Sequence, residues 1–93
     1  MNKTKAEQVL REAGFTCYES AIFGGDFVDR YSKENSWVLV EISNNPNRNS
    51  VASRPKGKQV WPRNSSELKK LIFELEPTET EIAEFHKEES RAN

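Results

Sequence analysis

The fold of this chain is decided by one strongly apolar stretch, Trp37-Val38-Leu39-Val40-Glu41-Ile42-Ser43. A near-continuous run of aliphatic and β-branched residues is typical of a strand that lies centrally in its sheet. Before it, residues 15–23 and 26–32 favour two further strands, because aromatic and β-favouring residues recur there with a period of two. Gly24-Gly25 and residues 33–36 supply the two turns. The sequence therefore predicts an antiparallel meander.

A helix is predicted ahead of this sheet. Thr4 and Glu7 have the spacing of a capping box, in which each side chain satisfies a free amide of the first turn. Four apolar residues then share one helical face: Ala6, Val9, Leu10 and Ala13. Gly14 ends the helix, since glycine adopts a left-handed backbone without steric cost, and Phe15 is placed to fold back onto the last turn.

The chain beyond the central strand returns to helix. Residues 44–50 form a loop, residues 51–53 and 59–61 form short strands, and Pro62 closes the second of them. A second helix begins at Asn64 or Ser65 and ends at Pro77, with one apolar face: Leu68, Leu71, Ile72 and Leu75. Thr78 and Glu81 cap a weaker third helix, and a frayed acidic tail is expected from Lys87.

These elements predict a small two-layer α+β domain: an N-terminal helix, a three- to four-stranded antiparallel sheet and one or more C-terminal helices on one face of the sheet. Residues 1–77 form the domain, and residues 78–93 form the weak helix and tail. We expect Phe15, Phe27 and Trp37 in the core, while the placement of Trp61 is left open between core and surface.

Composition excludes several classes of protein. Only 34% of the 93 residues are hydrophobic, and Cys17 and His86 are each the single residue of their type. An intrachain disulfide and a cysteine or histidine metal cluster are therefore excluded, and we expect no metal and no cofactor. No apolar segment follows the first residues, so we expect a cytoplasmic protein without a signal peptide or membrane contact. A core this thin also fits a homodimer, in which a second copy covers an apolar patch.

Charge is unevenly distributed. The net charge is −1, but residues 44–66 contain no acidic residue, and their five basic side chains are Arg48, Arg54, Lys56, Lys58 and Arg63. Lysine and arginine neutralise phosphates, and Trp61 can stack on an unpaired base. We therefore predict that these six residues form a binding site. Two other interpretations remain open: a solvated loop that protects an edge strand, and a loop neutralised by the acidic residues 74–89.

The candidates for catalysis are weaker. Asp26, Asp29 and Glu41 lie on neighbouring predicted strands, but Asp26 and Asp29 are an odd number of residues apart and point to opposite faces. Asp26 is better explained by the turn, and Asp29 or Arg30 by a cross-strand pair. Cys17 has no adjacent base and is expected to be a small core residue of a strand, and His86 is a helix-surface residue. We expect no enzymatic activity.

The segment Leu10-Arg11-Glu12-Ala13-Gly14-Phe15, a helix that ends before a small sheet and a returning helix, resembles the opening of HicA-type toxins. These are small double-stranded-RNA-binding-like domains that cleave messenger RNA. Their catalytic Gly-Ser-His is absent, since the comparable turn here is Gly24-Gly25-Asp26. The resemblance therefore implies no catalytic residue in this chain.

The sequence as a whole predicts a small binding module that engages nucleic acid, or a nucleic-acid-associated protein, through its basic loop. The alternative is a small inhibitor or adaptor, of the kind that mobile elements encode, which docks on one acidic protein surface. A HicA-like ribonuclease toxin is the third hypothesis.

Overall fold

The computed structural model describes residues 1–54 and 57–92. Along the chain it places an α-helix, five β-strands interrupted by a short 3₁₀ turn, and two further α-helices, and the predicted α+β class is confirmed. The helices are α1 (Lys3–Glu12), α2 (Ser65–Glu74) and α3 (Glu79–Ala92). The strands are β1 (Thr16–Phe23), β2 (Asp26–Ser32), β3 (Val38–Ser43), β4 (Ser50–Ser53) and β5 (Lys58–Val60), with the 3₁₀ turn at Pro46–Arg48.

The five strands form one antiparallel sheet in sequence order, so β3 is central and β1 and β5 are the edges. Four side chains, one from each of β2 to β5, form a row on the helix-covered face: Tyr31, Val40, Val51 and Val60. Val40 and Val51 are buried, as expected at the centre of the sheet. The neighbouring row, Leu39, Ala52 and Gln59, must therefore point to the opposite face.

The two amphipathic helices cover one face of the sheet. Leu10 of α1 and Leu68 of α2 are fully buried and belong to the same core cluster as Val38, Val40 and Ile42 of β3. Burial of side chains this large contributes roughly 1.5–3 kcal/mol each. The two-layer arrangement therefore follows directly from the apolar helical faces in the sequence.

The ends of α1 show one confirmed prediction and one correction. Gly14 has a φ of 90°, and Phe15 N donates a hydrogen bond to Leu10 O at 2.8 Å, which is the predicted glycine stop. The predicted Thr4 cap is wrong, because the N-cap residue is Asn2, whose Oδ1 accepts a hydrogen bond from Thr4 N at 2.8 Å. Asparagine is at least as good a cap as threonine, and the helix begins two residues earlier than a Thr4 cap would place it.

The caps of the C-terminal helices agree with the sequence. Asn64 caps α2, accepting a hydrogen bond from Glu67 N at 2.9 Å. Thr78 and Glu81 form a reciprocal capping box at α3, with both backbone-to-side-chain distances 3.2 Å. Helix α3 continues to Ala92, past Lys87, where we predicted the beginning of a frayed tail.

Two aromatic residues lie outside the core in which we predicted them. Phe15 is buried, but Phe27 is 58% exposed, because it pairs with the exposed Ile22 at the far end of the β1–β2 hairpin. Trp37 is half-buried and packs edge-on against Phe85 of α3, with ring centroids 5.6 Å apart. Tyr31 takes the interior position instead. A strict two-residue period does not show where a hairpin extends beyond its covering helices.

Candidate functional site

The acid-free segment, residues 44–66, runs through the 3₁₀ turn, β4, β5 and the start of α2. Its geometry is set by the antiparallel β4–β5 hairpin, in which Ser53 pairs with Lys58 and Val51 pairs with Val60. Side chains before β4 and after β5 therefore lie at one end of the hairpin, and those between the two strands lie at the other. The predicted basic loop is thus divided into two groups of residues.

The first group lies at the turn of the β4–β5 hairpin. Arg54 and Lys58 are exposed and line a groove of about 450 Å³, which we call the hairpin groove. Trp37, Leu39 and Ala52 also line this groove, and Leu39 is 46% exposed. Lys56, which we also predicted as a binding residue, lies outside the described residues.

The second group lies at the opposite end, beside the loop between β3 and β4. Trp61 and Arg63 line a second groove of about 560 Å³, which we call the Trp61 groove. Its other walls include Pro46, Asn47 and Asn49. Trp61 is 53% exposed, which answers the question that the sequence left open about its placement.

Asparagine side chains hold the loop that borders the Trp61 groove. Asn44 Oδ1 accepts a hydrogen bond from Phe27 N at 2.7 Å, and the buried Asn49 Oδ1 accepts one from Ser43 N at 2.8 Å. Such bonds satisfy backbone amides that no strand partner reaches. Sequence reasoning treated these asparagines only as turn formers and missed their contribution to a rigid groove wall.

Arg48 belongs to the same loop, but its charge is already partnered. Its Nε lies 3.0 Å from Asp26 Oδ2, and Asn45 Nδ2 donates to the same oxygen at 3.0 Å. Asn45 Oδ1 in turn accepts a hydrogen bond from Asn47 N at 3.0 Å. Asp26 therefore ties the loop to β2, and Arg48 differs in this respect from the other described cations of the segment.

Arg54, Lys58 and Arg63 form no ion pair with any residue that the structure describes. At Arg63 the backbone N donates a hydrogen bond to Glu67 Oε2 at 2.6 Å, while the guanidinium forms no ion pair with a described residue. Glu76, in the acidic region 74–89, accepts hydrogen bonds from Ser36 Oγ at 2.5 Å and Trp37 N at 3.1 Å. That carboxylate stabilises the turn before β3 rather than neutralising the basic segment.

The carboxylates on β1 and β2 are engaged in structural pairs. Asp29 Oδ2 lies 2.9 Å from Lys3 Nζ, and Asp29 Oδ1 accepts a hydrogen bond from Ser20 Oγ at 2.8 Å. Burial disfavours the charged form of Asp29, but these two donors outweigh it and lower its pKa. Arg30 pairs with Glu19 across the strands at 3.1 Å. Arg30 therefore makes the cross-strand pair that we predicted for Asp29 or Arg30, while the ion pair of Asp29 is with Lys3 of α1.

The two remaining candidates, Cys17 and His86, lie on different elements, β1 and α3. Cys17 is exposed and does not take the core position that we predicted for it, and it pairs across the strands with Tyr31. His86 packs against Trp37 with ring centroids 5.8 Å apart. Burial, followed by the charge of Glu7, raises the pKa of Tyr31 to about 12. Within the described part of the chain, no three histidine, cysteine, aspartate or glutamate residues are grouped to hold a metal ion.

Comparisons with known proteins do not assign this chain to a family. No family model, no curated protein and no solved structure matches it. Across residues 1–54 and 57–92, no helix combines the length and apolar character needed to cross a membrane. The chain is a small α+β domain with a groove at each end of its β4–β5 hairpin.

Proposed function

We propose that this protein is a small nucleic-acid-binding module, which engages the phosphate backbone along the β4–β5 hairpin. The observation that carries the proposal is that the side chains of Arg54, Lys58 and Arg63 are exposed and form no ion pair with a described residue. Ion pairs between surface side chains contribute little to folding stability, whereas contacts of the same cations with phosphates release condensed counterions and provide binding free energy.

The spacing of the cations suits a short stretch of the phosphate backbone of a nucleic acid. β4 lies between Asn49, which lines the Trp61 groove, and Arg54, which lines the hairpin groove. A strand rises about 3.3 Å per residue, so these two residues lie roughly 16 Å apart along the hairpin. Phosphates of one strand are spaced about 3.4 Å along a stacked helix, so this length matches about five nucleotides.

The first experiment measures binding of a labelled ten-nucleotide oligonucleotide by fluorescence anisotropy over a range of salt concentrations. Three phosphate contacts predict a slope of log affinity against log salt of about −2 on a single strand. The double variant Arg54→Glu/Lys58→Glu should weaken binding at 0.1 M salt by about 25-fold, because each lost contact removes roughly 0.7 logarithmic units.

The matched control is Lys5→Glu/Lys69→Glu, which changes the net charge equally at exposed positions of α1 and α2. We expect this variant to bind nearly as well as the unmodified protein, and both double variants to keep the original melting temperature. Equal losses in the two variants would indicate a general effect of net charge, and the proposed site would then be wrong.

One observation favours a second function, the small inhibitor or adaptor. Leu39 and Trp37 give the hairpin groove an apolar floor beside Arg54 and Lys58, which suits an acidic segment of a partner protein that also carries apolar side chains. Binding of this kind depends on Leu39 and responds weakly to salt, whereas phosphate binding responds strongly. Absence of oligonucleotide binding at low salt would leave this second function as the better one.

A further inference from the structure

We infer that the Trp61 groove binds one unpaired nucleobase, so that the nucleic acid engaged by this protein is single-stranded. This inference rests on the proposed function and specifies its substrate class. It is carried by the juxtaposition of an exposed indole, an uncommitted amide and an unpaired guanidinium in one groove, formed by Trp61, Asn47 and Arg63.

The indole of Trp61 is exposed, and the backbone that carries it is restrained. Trp61 is 53% exposed, and the next residue, Pro62, is buried. The proline ring restricts its own backbone φ, so a buried proline anchors the residue before it. Stacking requires an accessible ring, and restraint of the Trp61 backbone lowers the conformational entropy that stacking costs.

Asn47 differs from the other asparagines of the β3–β4 loop. The side chains of Asn44, Asn45 and Asn49 bond to the backbone or to Asp26, and so maintain the loop conformation. The side-chain amide of Asn47 has no hydrogen bond to any described residue, and it is exposed at the edge of the groove. Its donor and acceptor are therefore free to contact the edge of a base.

The charge of the groove suits the phosphate attached to such a base. The Arg63 guanidinium has no ion pair with a described residue, and Asp26 already accepts two hydrogen bonds from the loop. A stacked base would place its phosphate near Arg63, with Arg54 and Lys58 continuing the cationic path. A duplex keeps its bases stacked on one another, so it cannot offer a base to Trp61 without unpairing.

The first test is fluorescence quenching. In the variant Trp37→Phe, Trp61 is the remaining tryptophan and reports directly on stacking. Titration with a single-stranded ten-nucleotide oligonucleotide should quench its emission, and the matched duplex should bind more weakly and quench little. If the duplex binds as tightly as the single strand, or if no quenching accompanies binding, the inference is overturned.

The second test compares substitutions at the groove. Trp61→Ala should weaken single-strand binding by about 5- to 150-fold, the range given by loss of one base–aromatic stack, while Trp61→Phe should retain most of the affinity. Asn47→Ala should reduce the difference in affinity among the four homopolymers without changing the salt slope. If Asn47→Ala kept the same differences in affinity among the homopolymers, the Asn47 amide would not contact the base.

The two proposals fail in different ways. If Trp61→Ala has no effect but Arg54→Glu/Lys58→Glu weakens binding, the nucleobase site is wrong and the proposed function stands. If no oligonucleotide binds to the unmodified protein even at low salt, both are wrong. Melting temperatures should match across the variants, since Trp61 and Asn47 are exposed, so loss of folding cannot imitate loss of binding.

Discussion

The two edge hairpins of the sheet differ in whether their charged side chains form ion pairs. In the β1–β2 hairpin, Asp29 and Arg30 each have a partner of opposite charge, and Asp26 pairs with Arg48. In the β4–β5 hairpin, Arg54 and Lys58 have no carboxylate partner in the part of the chain that the structure describes. Charged side chains of the β1–β2 hairpin therefore stabilise the fold, whereas those of the β4–β5 hairpin remain free for a ligand. We accordingly expect the pH dependence of stability to arise mainly from the β1–β2 hairpin.

The largest expected effect is alkaline destabilisation through Tyr31. Its pKa rises from 10.0 in the unfolded chain to about 12 in the folded one, chiefly because burial disfavours the phenolate. The folded state therefore binds more protons between these values, and stability is complete below pH 10 and is lost as pH rises through 12. The loss is about 2–3 kcal/mol, at about 1.4 kcal/mol for each pH unit.

Denaturant unfolding at several values between pH 8 and pH 12 measures this loss. Tyr31→Phe removes the ionisable group and should flatten the curve over that range, and Tyr18→Phe, an exposed tyrosine on β1, is the control. The pKa of Lys3 is also raised, principally by its hydrogen bond to Asp29, so part of the alkaline decline will persist in Tyr31→Phe. If the free energy of unfolding depended on pH in the same way in Tyr31→Phe and Tyr18→Phe, the alkaline loss of stability could not be assigned to Tyr31.

The next effect is acid destabilisation through Asp29. Its pKa is lowered, so its contribution is present above the unfolded value of 3.8 and is lost as pH falls through the folded value. Asp29→Asn should destabilise the protein by about 1–2 kcal/mol at neutral pH, since it removes a charge-assisted bond to the half-exposed Lys3. Below pH 3 the difference between the two proteins should narrow, which thermal unfolding at pH 2 and pH 7 would show. An equal difference at both values would mean that the charge of Asp29 is unimportant.

Much of the fold could be predicted from the sequence, because periodicity and turn chemistry are local. The Gly24-Gly25 turn, the Gly14 stop and the apolar face of α2 each follow from a few adjacent residues. The errors at Phe27 and Trp37 arise from tertiary relations, namely which part of a hairpin the helices cover and where α3 packs. Local pattern carries no information about either.

The candidate site was predicted less completely, for the same reason. Absence of acidic residues between positions 44 and 66 is visible in the sequence, but the register of β4 and β5 divides those cations between two ends. The pairing of Arg48 with Asp26 joins residues 22 positions apart. Nor does the sequence distinguish Asn47 from its neighbours, since only the folded loop shows which side-chain amides are already bonded.

The variant with the smallest expected effect, Asp26→Asn, tests the difference between the two hairpins most directly, because it converts Arg48 from a paired into an unpaired cation. Asp26→Asn keeps the shape of the side chain and removes its charge, so Arg48 loses its partner on β2. Both side chains are partly exposed, and the loss of stability should therefore be about 0.5–1 kcal/mol. The freed guanidinium should add one phosphate contact beside the Trp61 groove, which makes the salt slope steeper by about 0.7 and the affinity about fivefold higher at 0.1 M salt.

The double variant Asp26→Asn/Arg48→Gln distinguishes this explanation from a general change in net charge. Asp26→Asn raises the net charge of the chain by one, and Arg48 is the cation that was paired with the altered side chain. Replacing Arg48 should therefore return the salt slope to its original value. The matched comparison is Glu19→Gln, which frees Arg30 on the β1–β2 hairpin instead. That cation lies on β2, which β3 separates from β4, and it faces Glu41 across the strands, so its release should leave the salt slope unchanged. A slope that steepens equally in Asp26→Asn and Glu19→Gln would show that total charge, and not the position of the unpaired cations, controls binding.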